Sequence, residues 1–585
     1  MKKSFLYIFL CLGLLSSCTG PKDGTYTLQL LTTNDVHGSW FDSTYTGGRI
    51  RPSLMAVNYY ADSVRRVNGA ENVIMVDAGD CLQGDNAAYY YNYVDTLTPH
   101  LYPRIASYMR YDAVVVGNHD IEPGHKVYDR VAAQMKDLKI PFLAGNAIRS
   151  DNGKPYFPMY TCLKRNGLKI CVLGFTNPNM KEWLDESLWT GMEFKSLLPL
   201  VQEDVDKVIA KEKPHVVIVA VHSGTGTGDG QVLENQGLDL MNSLSGVDFL
   251  VCSHDHRAVI CRNDTICLIN SGSHAENVGH GTIQLSVKNG EVVTKTVSGE
   301  LIKVDPKKAD SKMRDFFAKD YEAVKAFTMR KVGSLSVDMR TRDAFKGMSL
   351  YMDLIHSVSL SCEPALVSFA APLTYNGFIK SGDVIFNDLF TIYPYENQLY
   401  VVTMTGDEIR KYLEYSYDQW IQTFDGLRSN VLRIEEGDDG RSWHERWHFV
   451  NRSYNFDSAG GLDYVVDITK PFGSRVLISS LADGRVFSSD STYNVAMTSY
   501  RASGGGGLLE KGAGVDTDRI QDRVVAKYPE IRSVLYDYIA EHKTITAELI
   551  SNPSVVGKWE FIPEKKASKS IDRDFDLLFG KKDRK

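Results

Sequence analysis

The chain has 585 residues, of which 43% are hydrophobic and 24% charged, and 66 Lys and Arg against 73 Asp and Glu give a formal net charge of −7. These globular proportions exclude a disordered chain, a collagen-like fibre and a coiled coil. The mild acidity argues against a general nucleic-acid-binding protein, which needs a basic face. Because a single hydrophobic core stops growing near about 250–300 residues, we expect at least two domains.

The N-terminus has the pattern of a secretory signal. Lys2 and Lys3 precede an apolar run over 5–15, which is shorter than the roughly 20 residues that span a bilayer. The run ends at Leu15-Ser16-Ser17-Cys18, which resembles the bacterial lipobox, whose Cys is acylated. The resemblance predicts a lipoprotein signal peptide over 1–18 and an extracytoplasmic protein, periplasmic or at the cell surface, anchored to the membrane at Cys18. A plain signal peptide with a chance Cys is the alternative.

The first half alternates apolar runs of strand length with helical patterns, which predicts α/β layering with mostly buried strands. The runs cover 28–31, 73–76, 113–116, 169–173, 215–221, 249–252 and 265–269. Polar residues follow almost every run. In open α/β sheets, ligands bind beyond the carboxyl ends of the strands, so we expect the functional site there.

Changes in composition predict the domain boundaries. We expect a first domain over 24–305, a charged linker helix over 306–330, a second domain over 331–550 and a charged tail over 551–585 that is poorly ordered at its end. Cys261 and Cys267 flank a short polar turn between apolar runs. They either pair across a hairpin or are both small buried hydrophobic residues.

Five polar segments carry the chemistry, and each follows an apolar run. They are Asn34-Asp35-Val36-His37-Gly38, Asp77-Ala78-Gly79-Asp80, Gly117-Asn118-His119-Asp120, Val221-His222-Ser223-Gly224 and Ser253-His254-Asp255-His256. Each segment alone is a weak signal, but their joint occurrence after successive strands is not. Carboxylate and imidazole together suit divalent ions such as Zn, Mn, Fe or Co.

The candidate metal ligands are Asp35, His37, Asp80, Asn118, His222, His254 and His256. This set is too large for one ion. It suits two divalent metal ions about 3.5–4 Å apart that share a carboxylate.

These segments resemble the signature blocks of the calcineurin-like metallophosphoesterases, including Gly79-Asp80-Cys81-Leu82-Gln83-Gly84. The match spans 28–300. The order of domains is similar to that of the secreted 5′-nucleotidase family over 28–550. The resemblance implies an α/β, four-layer-type domain with mixed sheets and a C-terminal α+β nucleotide-binding domain.

The resemblance also implies a role for each ligand. Asp35, His37 and His256 would hold one metal, Asn118, His222 and His254 the other, and Asp80 would bridge both. His119 would face the substrate as a catalytic residue and stabilise charge on the phosphoryl oxygens or the leaving group. An acid three residues on, here Glu122, would support it, with Asp120 as the second candidate.

The second half carries the features expected of a base-binding site. Members of the family hold the base between two aromatic rings, one of which precedes a Gly-rich loop. Tyr500, before Gly504 to Gly507, and Phe456 match these positions, and Tyr454 is the fallback for Phe456. Stacking of a base is worth about 1–3 kcal/mol.

Further motifs indicate the substrate. The 5′-specific members carry an Arg-containing segment that is missing at 368–373, and an acid where this chain has Gly506. The segments 370–372, 392–397 and 500–505 instead resemble the bifunctional 2′,3′-cyclic-nucleotide 2′-phosphodiesterase/3′-nucleotidase branch. The resemblance implies hydrolysis of cyclic nucleotides and 3′-nucleotides to nucleoside and phosphate, for extracytoplasmic salvage.

Three other functions stay open on the sequence. One is a 5′-nucleotidase or UDP-sugar hydrolase, one is a non-catalytic nucleoside-binding lipoprotein, and one is a broad phosphatase or pyrophosphatase. The expected partners are a small-molecule nucleotide and, through the anchor, a membrane, with no binding of nucleic-acid polymers.

Overall fold

The computed structural model describes residues 20–426, 429–437 and 446–580. The predicted signal peptide over 1–18, with Cys18, lies outside these residues. All seven apolar runs of the first half lie in or overlap a strand, which confirms them as strand predictions. Within the described ranges, no helix combines the length and the apolar character that a bilayer crossing requires.

Two mixed, six-stranded sheets form the N-terminal domain. In spatial order, the strands of the first sheet are Glu291–Lys303, Asn277–Lys288, Gly24–Thr33, Val73–Asp77, Ala113–Val115 and Phe142–Leu143. Those of the second sheet are Ala258–Arg262, Cys267–Ser271, Phe249–Cys252, Val216–Val221, Leu168–Phe175 and Tyr160–Arg165. A separate short pair joins Ala147–Arg149 to Met192–Phe194.

The two sheets pack face to face, and helices cover their outer faces, which gives four layers. Leu30 and Val76 of the first sheet and Val172 and Ile218 of the second are fully buried in the core between them. The helices are Leu54–Asn68, Asn86–Tyr89, Leu101–Met109, Asn118–Ile121, His125–Asp137, Met180–Trp183, Glu186–Trp189, Leu197–Glu212 and Gly237–Ser243, with short 3₁₀ and π segments at Ala70–Asn72 and Tyr90–Val94. This arrangement confirms the predicted α/β fold with mixed sheets.

The segment between the domains forms two helices rather than the single predicted linker helix. They are Ser311–Phe316 and Ala318–Thr328, and they meet at Phe317. Phe317 and Val324 are buried against the core of the N-terminal domain. Because this apolar face needs cover, the segment packs as part of that domain instead of standing free between the two.

The C-terminal domain is α+β and contains a central five-stranded sheet. Its strands, in spatial order, are Ser458–Gly460, Val367–Ala370, Thr492–Thr498, Gln398–Thr405 and Val524–Glu530. Two three-stranded sheets join Gly382–Ile385, Lys331–Leu335 and Thr544–Ile545, and Val476–Leu481, Leu462–Asp467 and Gly557–Ile562. Short pairs join Met339–Arg340 to Phe378–Ile379 and Ile434–Glu436 to Trp447–Phe449.

Helices surround these sheets. The α-helices are Leu350–Leu360, Phe386–Ile392, Gly406–Trp420, Ser499–Ala502, Ile531–His542, Ala547–Ile550, Pro553–Val556 and Glu564–Phe579. The 3₁₀ segments are Thr341–Lys346, Ser453–Asn455, Gly505–Gly507 and Thr517–Arg523, and Leu508–Ala513 is a π segment.

The stretch predicted as a separate charged tail over 551–585 is part of the C-terminal domain as far as residue 580, and residues 581–585 lie outside the described ones. The strand Gly557–Ile562 pairs in parallel with Leu462–Asp467. Phe561, Ile571 and Leu578 are buried in the core of the C-terminal domain. The high charge of this stretch misled the prediction, because an amphipathic helix carries its charges on one face and its apolar residues on the other.

Among the described residues, one disulfide joins Cys162 to Cys171. These two residues lie directly opposite each other on neighbouring antiparallel strands. Cys261 and Cys267 are both free thiols on a hairpin in which Cys261 faces Leu268 and Cys267 faces Arg262. Cys261 and Cys267 therefore do not pair across the hairpin, and both are unpaired cysteines.

The two domains contact each other through polar side chains. The Tyr93 hydroxyl donates to Glu396 Oε2 at 2.8 Å. Asp185 of the N-terminal domain accepts from the Tyr400 hydroxyl and, at 3.0 Å, from Lys527 Nζ. These contacts place the carboxyl ends of the N-terminal strands opposite the C-terminal domain.

Candidate metal centre and substrate cavity

The five polar segments meet at one edge of the N-terminal domain, because all of them follow the carboxyl ends of strands. Backbone hydrogen bonds tie neighbouring loops together. The amides of Asp35 and His37 donate to the carbonyls of Gly79 and Asp80, each at 2.9 Å. The Ser253 hydroxyl donates to the Ala78 carbonyl at 3.0 Å and so joins a loop of the second sheet to the first.

The first candidate metal group consists of Asp35, His37 and His256, whose ligand atoms all lie within 4.8 Å of one another. The Nε2 atoms of His37 and His256 are 3.0 Å apart. His256 Nε2 lies 3.9 Å from Asp35 Oδ1. Carboxylate and imidazole nitrogens converge here on one point, as a divalent cation requires.

The second group consists of Asp80, His222 and His254, within the same 4.8 Å limit. Asn118 completes it, because its Oδ1 lies 3.0 Å from both His222 Nε2 and His254 Nδ1. Asp80 Oδ2 lies 3.1 Å from His222 Nε2 and 4.0 Å from His37 Nε2 of the first group. The Asp80 carboxylate therefore stands between the two groups, where a bridging ligand belongs.

Five of the candidate ligands adopt left-handed backbone conformations. The φ angles are 48° at Asp35, 47° at His37, 63° at Asp80, 71° at His254 and 57° at His256. A non-glycine residue in such a conformation costs about 1–3 kcal/mol and persists where the surroundings enforce it. The fold therefore accepts backbone strain to aim these side chains at common points, which is typical of a functional site.

The pKa values of the candidate ligands shift in both directions: although burial opposes protonation, the charge of Asp80 raises the pKa of His222 to about 9. Burial lowers the pKa of His37 well below its ordinary value and that of His256 to about 4, so both rings are neutral at neutral pH. Burial raises the pKa of Asp35 to about 8, a cost that a bound cation would offset. Burial also acts to raise the pKa of Asp80, but the charges of His222 and His119 outweigh it and hold this pKa well below its ordinary value.

Asp120 fixes the loop that carries Asp80. Its carboxylate accepts hydrogen bonds from four backbone amides, those of Gly117 at 2.8 Å and of Asp80, Cys81 and Leu82 at 2.9 Å. Gly117 must be glycine, because a Cβ there would lie 2.1 Å from Asp80 Oδ1. Asp120 is thus occupied with the backbone, and the sequence alternative that pairs it with His119 is wrong.

Glu122 is the acid that supports His119. Its Oε2 lies 2.5 Å from His119 Nδ1, and the two residues are three apart on one helical turn. The His119 amide also donates to Asp80 Oδ1 at 2.8 Å. Although burial opposes protonation, the charges of Glu122 and Asp80 raise the pKa of His119 to about 10.

Two further residues belong to the site and were missed on the sequence. The His274 ring lies 5.4 Å from that of His37, and the Trp183 ring stacks on that of His254 at 4.9 Å. His274 follows the strand Cys267–Ser271, so the rule that found the ligands could have found it. Trp183 lies on a short helix and carries no such signal.

A cavity of about 990 Å³ lies between the two domains and opens onto both metal groups. The N-terminal domain contributes His37, Asn118, His119, Glu122, Trp183, Glu234, His254, His256 and His274 to its lining. The C-terminal domain contributes Ala370, Ala371, Tyr395, Asn451, Arg452, Tyr454, Tyr500 and Arg501. The cavity therefore joins a metal-binding end to an end rich in tyrosine.

Of the two rings in the predicted aromatic pair, one lies at the cavity and the other does not. Tyr500 lines the cavity, but Phe456 does not. Phe456 is fully buried and stacks on Trp420, with 5.8 Å between ring centroids and 2° between planes. The prediction that Phe456 holds a base is wrong, because the chain turns at Ser453–Asn455 and sends this ring into the core. Tyr454, the fallback, lines the cavity instead.

Arg501 contacts both Tyr454 and Tyr500 and so links their positions. Its guanidinium is buried, pairs with Asp457 Oδ1 at 2.7 Å and donates to the carbonyl of Tyr454. It also lies 5.3 Å from the Tyr500 ring. A Cβ on Gly505 would meet that ring at 2.5 Å, so glycine is required beneath Tyr500.

Comparison with known proteins identifies both domains. Residues 28–258 match the calcineurin-like phosphoesterase family model, and residues 331–511 match the model of the 5′-nucleotidase C-terminal domain. The 2′,3′-cyclic-nucleotide 2′-phosphodiesterase/3′-nucleotidase of Haemophilus influenzae is 23% identical over 92% of this chain and 87% of its own length. The trifunctional nucleotide phosphoesterase protein YfkN of Bacillus subtilis is also 23% identical over 92% of this chain, which spans only 39% of that relative.

Solved structures agree on the fold. A candidate 5′-nucleotidase of Staphylococcus aureus superposes with a TM-score of 0.75 at 19% identity, over 92% of this chain and 99% of that one. Together with the two family models, this similarity covers both halves of the molecule. The chain therefore combines a calcineurin-like phosphoesterase domain with a 5′-nucleotidase C-terminal domain.

Proposed function

We propose that the protein hydrolyses nucleotide phosphoesters, namely 2′,3′-cyclic nucleotides and 3′-nucleotides, to nucleoside and phosphate outside the cytoplasm. The observation that carries this proposal is the single cavity that joins two metal groups to tyrosine rings. Its volume of about 990 Å³ is at the upper end of the usual range of roughly 300–1,000 Å³ for small-molecule sites. The Haemophilus influenzae relative with this pair of activities supports the choice of substrate.

The metal groups define the reacting end of the cavity. We propose that Asp35, His37 and His256 hold one divalent ion, that Asn118, His222 and His254 hold another, and that Asp80 binds both. When bound, two such ions would neutralise the phosphoryl oxygens and lower the pKa of a metal-bound water to near neutrality. The residues contribute by fixing the positions of these charges before the substrate arrives, so that little reorganisation is needed during the reaction.

His119 would supply a further positive charge beside the two metal groups. Its Nδ1 is engaged by Glu122 at 2.5 Å, and the residue lines the cavity. With a pKa raised to about 10, the ring is protonated at neutral pH. We propose that it donates a hydrogen bond from Nε2 to a phosphoryl oxygen or to the leaving oxygen as negative charge develops there.

The base would stack on the tyrosines at the other end. Tyr454 and Tyr500 offer ring faces, and stacking tolerates any base because every base has a π face. Ala370 and Ala371 line the cavity at the segment where 5′-specific members carry a phosphate-binding Arg. This substitution supports the cyclic and 3′ substrates over 5′-nucleotides.

The test is a four-substrate assay. The mature chain, loaded with Mn or Zn, is assayed with 2′,3′-cAMP, 3′-AMP, 5′-AMP and a UDP-sugar at equal concentrations. We expect the first two to have the highest kcat/KM. Preference for 5′-AMP or the UDP-sugar would replace this proposal with a 5′-nucleotidase or UDP-sugar hydrolase, which the 5′-nucleotidase-like fold also accommodates.

The Glu122→Gln variant tests whether Glu122 raises the pKa of His119. Because the charge of Glu122 helps to raise the pKa of His119, its removal should lower that pKa. The alkaline limb of the pH profile of kcat/KM, which reports loss of an essential proton from the free enzyme, should therefore move to lower pH. Glu122→Asp, which keeps the charge, should retain more of the original profile. An unmoved alkaline limb in Glu122→Gln would show that this carboxylate does not hold the proton.

Tyr500→Ala tests the base-binding end. Loss of one stacking face worth about 1–3 kcal/mol should lower kcat/KM for nucleotides about 5- to 150-fold. Hydrolysis of p-nitrophenyl phosphate, which has no base, should change little, and Tyr500→Phe should preserve nucleotide turnover. An equal loss on both kinds of substrate would contradict a base-binding role.

We also propose that Cys18, which lies outside the described residues, carries the lipid anchor. The basis is the Leu15-Ser16-Ser17-Cys18 sequence. After lysis of cells that express the full chain, the protein should partition into the detergent phase. The Cys18→Ser variant should stay in the aqueous phase. Equal partition of both forms would contradict a lipid anchor at Cys18.

A further inference from the structure

His254 is contacted on two sides by residues that are not candidate ligands. Its Nδ1 faces the metal group, 3.0 Å from Asn118 Oδ1. Its Nε2 points the other way and lies 3.7 Å from Glu234 Oε2. The Trp183 ring stacks on the imidazole with 4.9 Å between centroids and 25° between planes. Glu234 thus lies along the direction in which Nε2 points, and Trp183 lies against the face of the ring.

Glu234 is fixed to the loop of another ligand. Its backbone carbonyl accepts hydrogen bonds from Asn177 Nδ2 at 3.0 Å, the Ser223 hydroxyl at 3.0 Å and the Gly224 amide at 3.1 Å. Ser223 and Gly224 directly follow His222. A Cβ on Gly224 would lie 1.9 Å from the Asn235 amide oxygen, so the two segments are packed without room for a side chain.

We propose that Glu234 and Trp183 are positioning residues for His254 and so tune the affinity of the second metal group for its ion. This inference rests on the proposed two-metal function. A carboxylate facing Nε2 favours the tautomer that carries its proton there, which leaves the Nδ1 lone pair free for a cation. The stacked indole restricts rotation of the ring out of that orientation.

Glu234 and Trp183 should affect only one of the two metal groups. Glu234 and Trp183 contact the ring of His254, whereas the His274 ring contacts those of His37 and His256 in the other group. Loss of either positioning residue should therefore weaken one ion and spare the other. Partners of metal-bound histidines typically change affinity about 10- to 100-fold when they are removed.

The test measures metal binding directly, without substrate. The metal-free mature chain is titrated with Mn²⁺ in a calorimeter, and the unaltered protein should show two binding events. Glu234→Gln should weaken one event about 10- to 100-fold and leave the other unchanged. Trp183→Phe, which keeps an aromatic face, should weaken the same event less than Trp183→Ala does.

Glu300→Gln is the matched control. Glu300 Oε1 lies 3.8 Å from His280 Nδ1, an equally spaced pair whose histidine belongs to neither metal group. This variant should bind Mn²⁺ as the unaltered protein does. Unchanged binding in Glu234→Gln, or equal weakening of both events, would overturn the proposal. Fewer than two events in the unaltered protein would instead contradict the proposed two-metal function.

Discussion

Asp80→Asn should remove the metal-dependent activity almost completely. Asp80 Oδ2 lies within reach of both groups, 3.1 Å from His222 Nε2 and 4.0 Å from His37 Nε2, so one substitution withdraws negative charge from both. Metal ions stabilise the transition state by several kcal/mol, and about 1.4 kcal/mol is worth a factor of ten. We therefore expect kcat to fall about 10³-fold or more, with loss of bound metal measured on the same samples.

Asp112→Asn is the control for this loss. Asp112 lies at the start of a strand in the same sheet, accepts from the Met75 amide at 3.0 Å and pairs with Arg165, with no contact to a candidate ligand. It should retain its metal content and its turnover. If Asp80→Asn kept both ions and near-normal kcat, the assignment of Asp80 as the shared ligand would be wrong.

His119→Ala should have the second largest effect, and by a different route. His119 belongs to neither metal group and lines the cavity beside them. Proton donation by a positioned side chain contributes about 10²–10⁴-fold to a rate, so kcat should fall by that amount. Metal content, measured by plasma mass spectrometry, should not change.

His125→Ala separates this role from a general effect of histidine loss. His125 Nδ1 lies 3.1 Å from Asp129 Oδ2, which resembles the His119–Glu122 pair but does not line the cavity. Turnover should be preserved in this variant. Loss of metal from His119→Ala would mean that His119 is a ligand rather than a substrate-facing residue.

The metal-binding end could be predicted from the sequence because one physical rule governs it. Apolar runs long enough for buried strands were followed by Asp, Asn or His, and the carboxyl ends of such strands meet at one edge of a sheet. Asp35, Asp80, His222 and His254 come together for this reason. The pairing of His119 with Glu122 was also predictable, since residues three apart are neighbours on a helical turn.

The tyrosine-rich end of the cavity was less predictable, because no such rule exists for an irregular segment. Phe456 and Tyr454 are two residues apart, and only the turn at Ser453–Asn455 decides which ring faces the cavity. Trp183 and Glu234 reach the site through tertiary packing alone. The Cys162–Cys171 bond likewise depends on a strand register that the apolar pattern does not specify.

The charged stretch after 551 shows a different limit. Its composition resembles that of a flexible tail, but the strand Gly557–Ile562 and the helix Glu564–Phe579 complete the C-terminal domain. Period-2 burial of Trp559 and Phe561 within that strand was the signal available in the sequence. Average charge obscured this alternation.

Anomalous diffraction from crystals grown with Mn²⁺ or Zn²⁺ tests the central claim most directly. We expect two anomalous peaks, one among Asp35, His37 and His256 and one among Asn118, His222 and His254, with the Asp80 carboxylate in contact with both. A single peak, or peaks away from these residues at full metal occupancy, would contradict it.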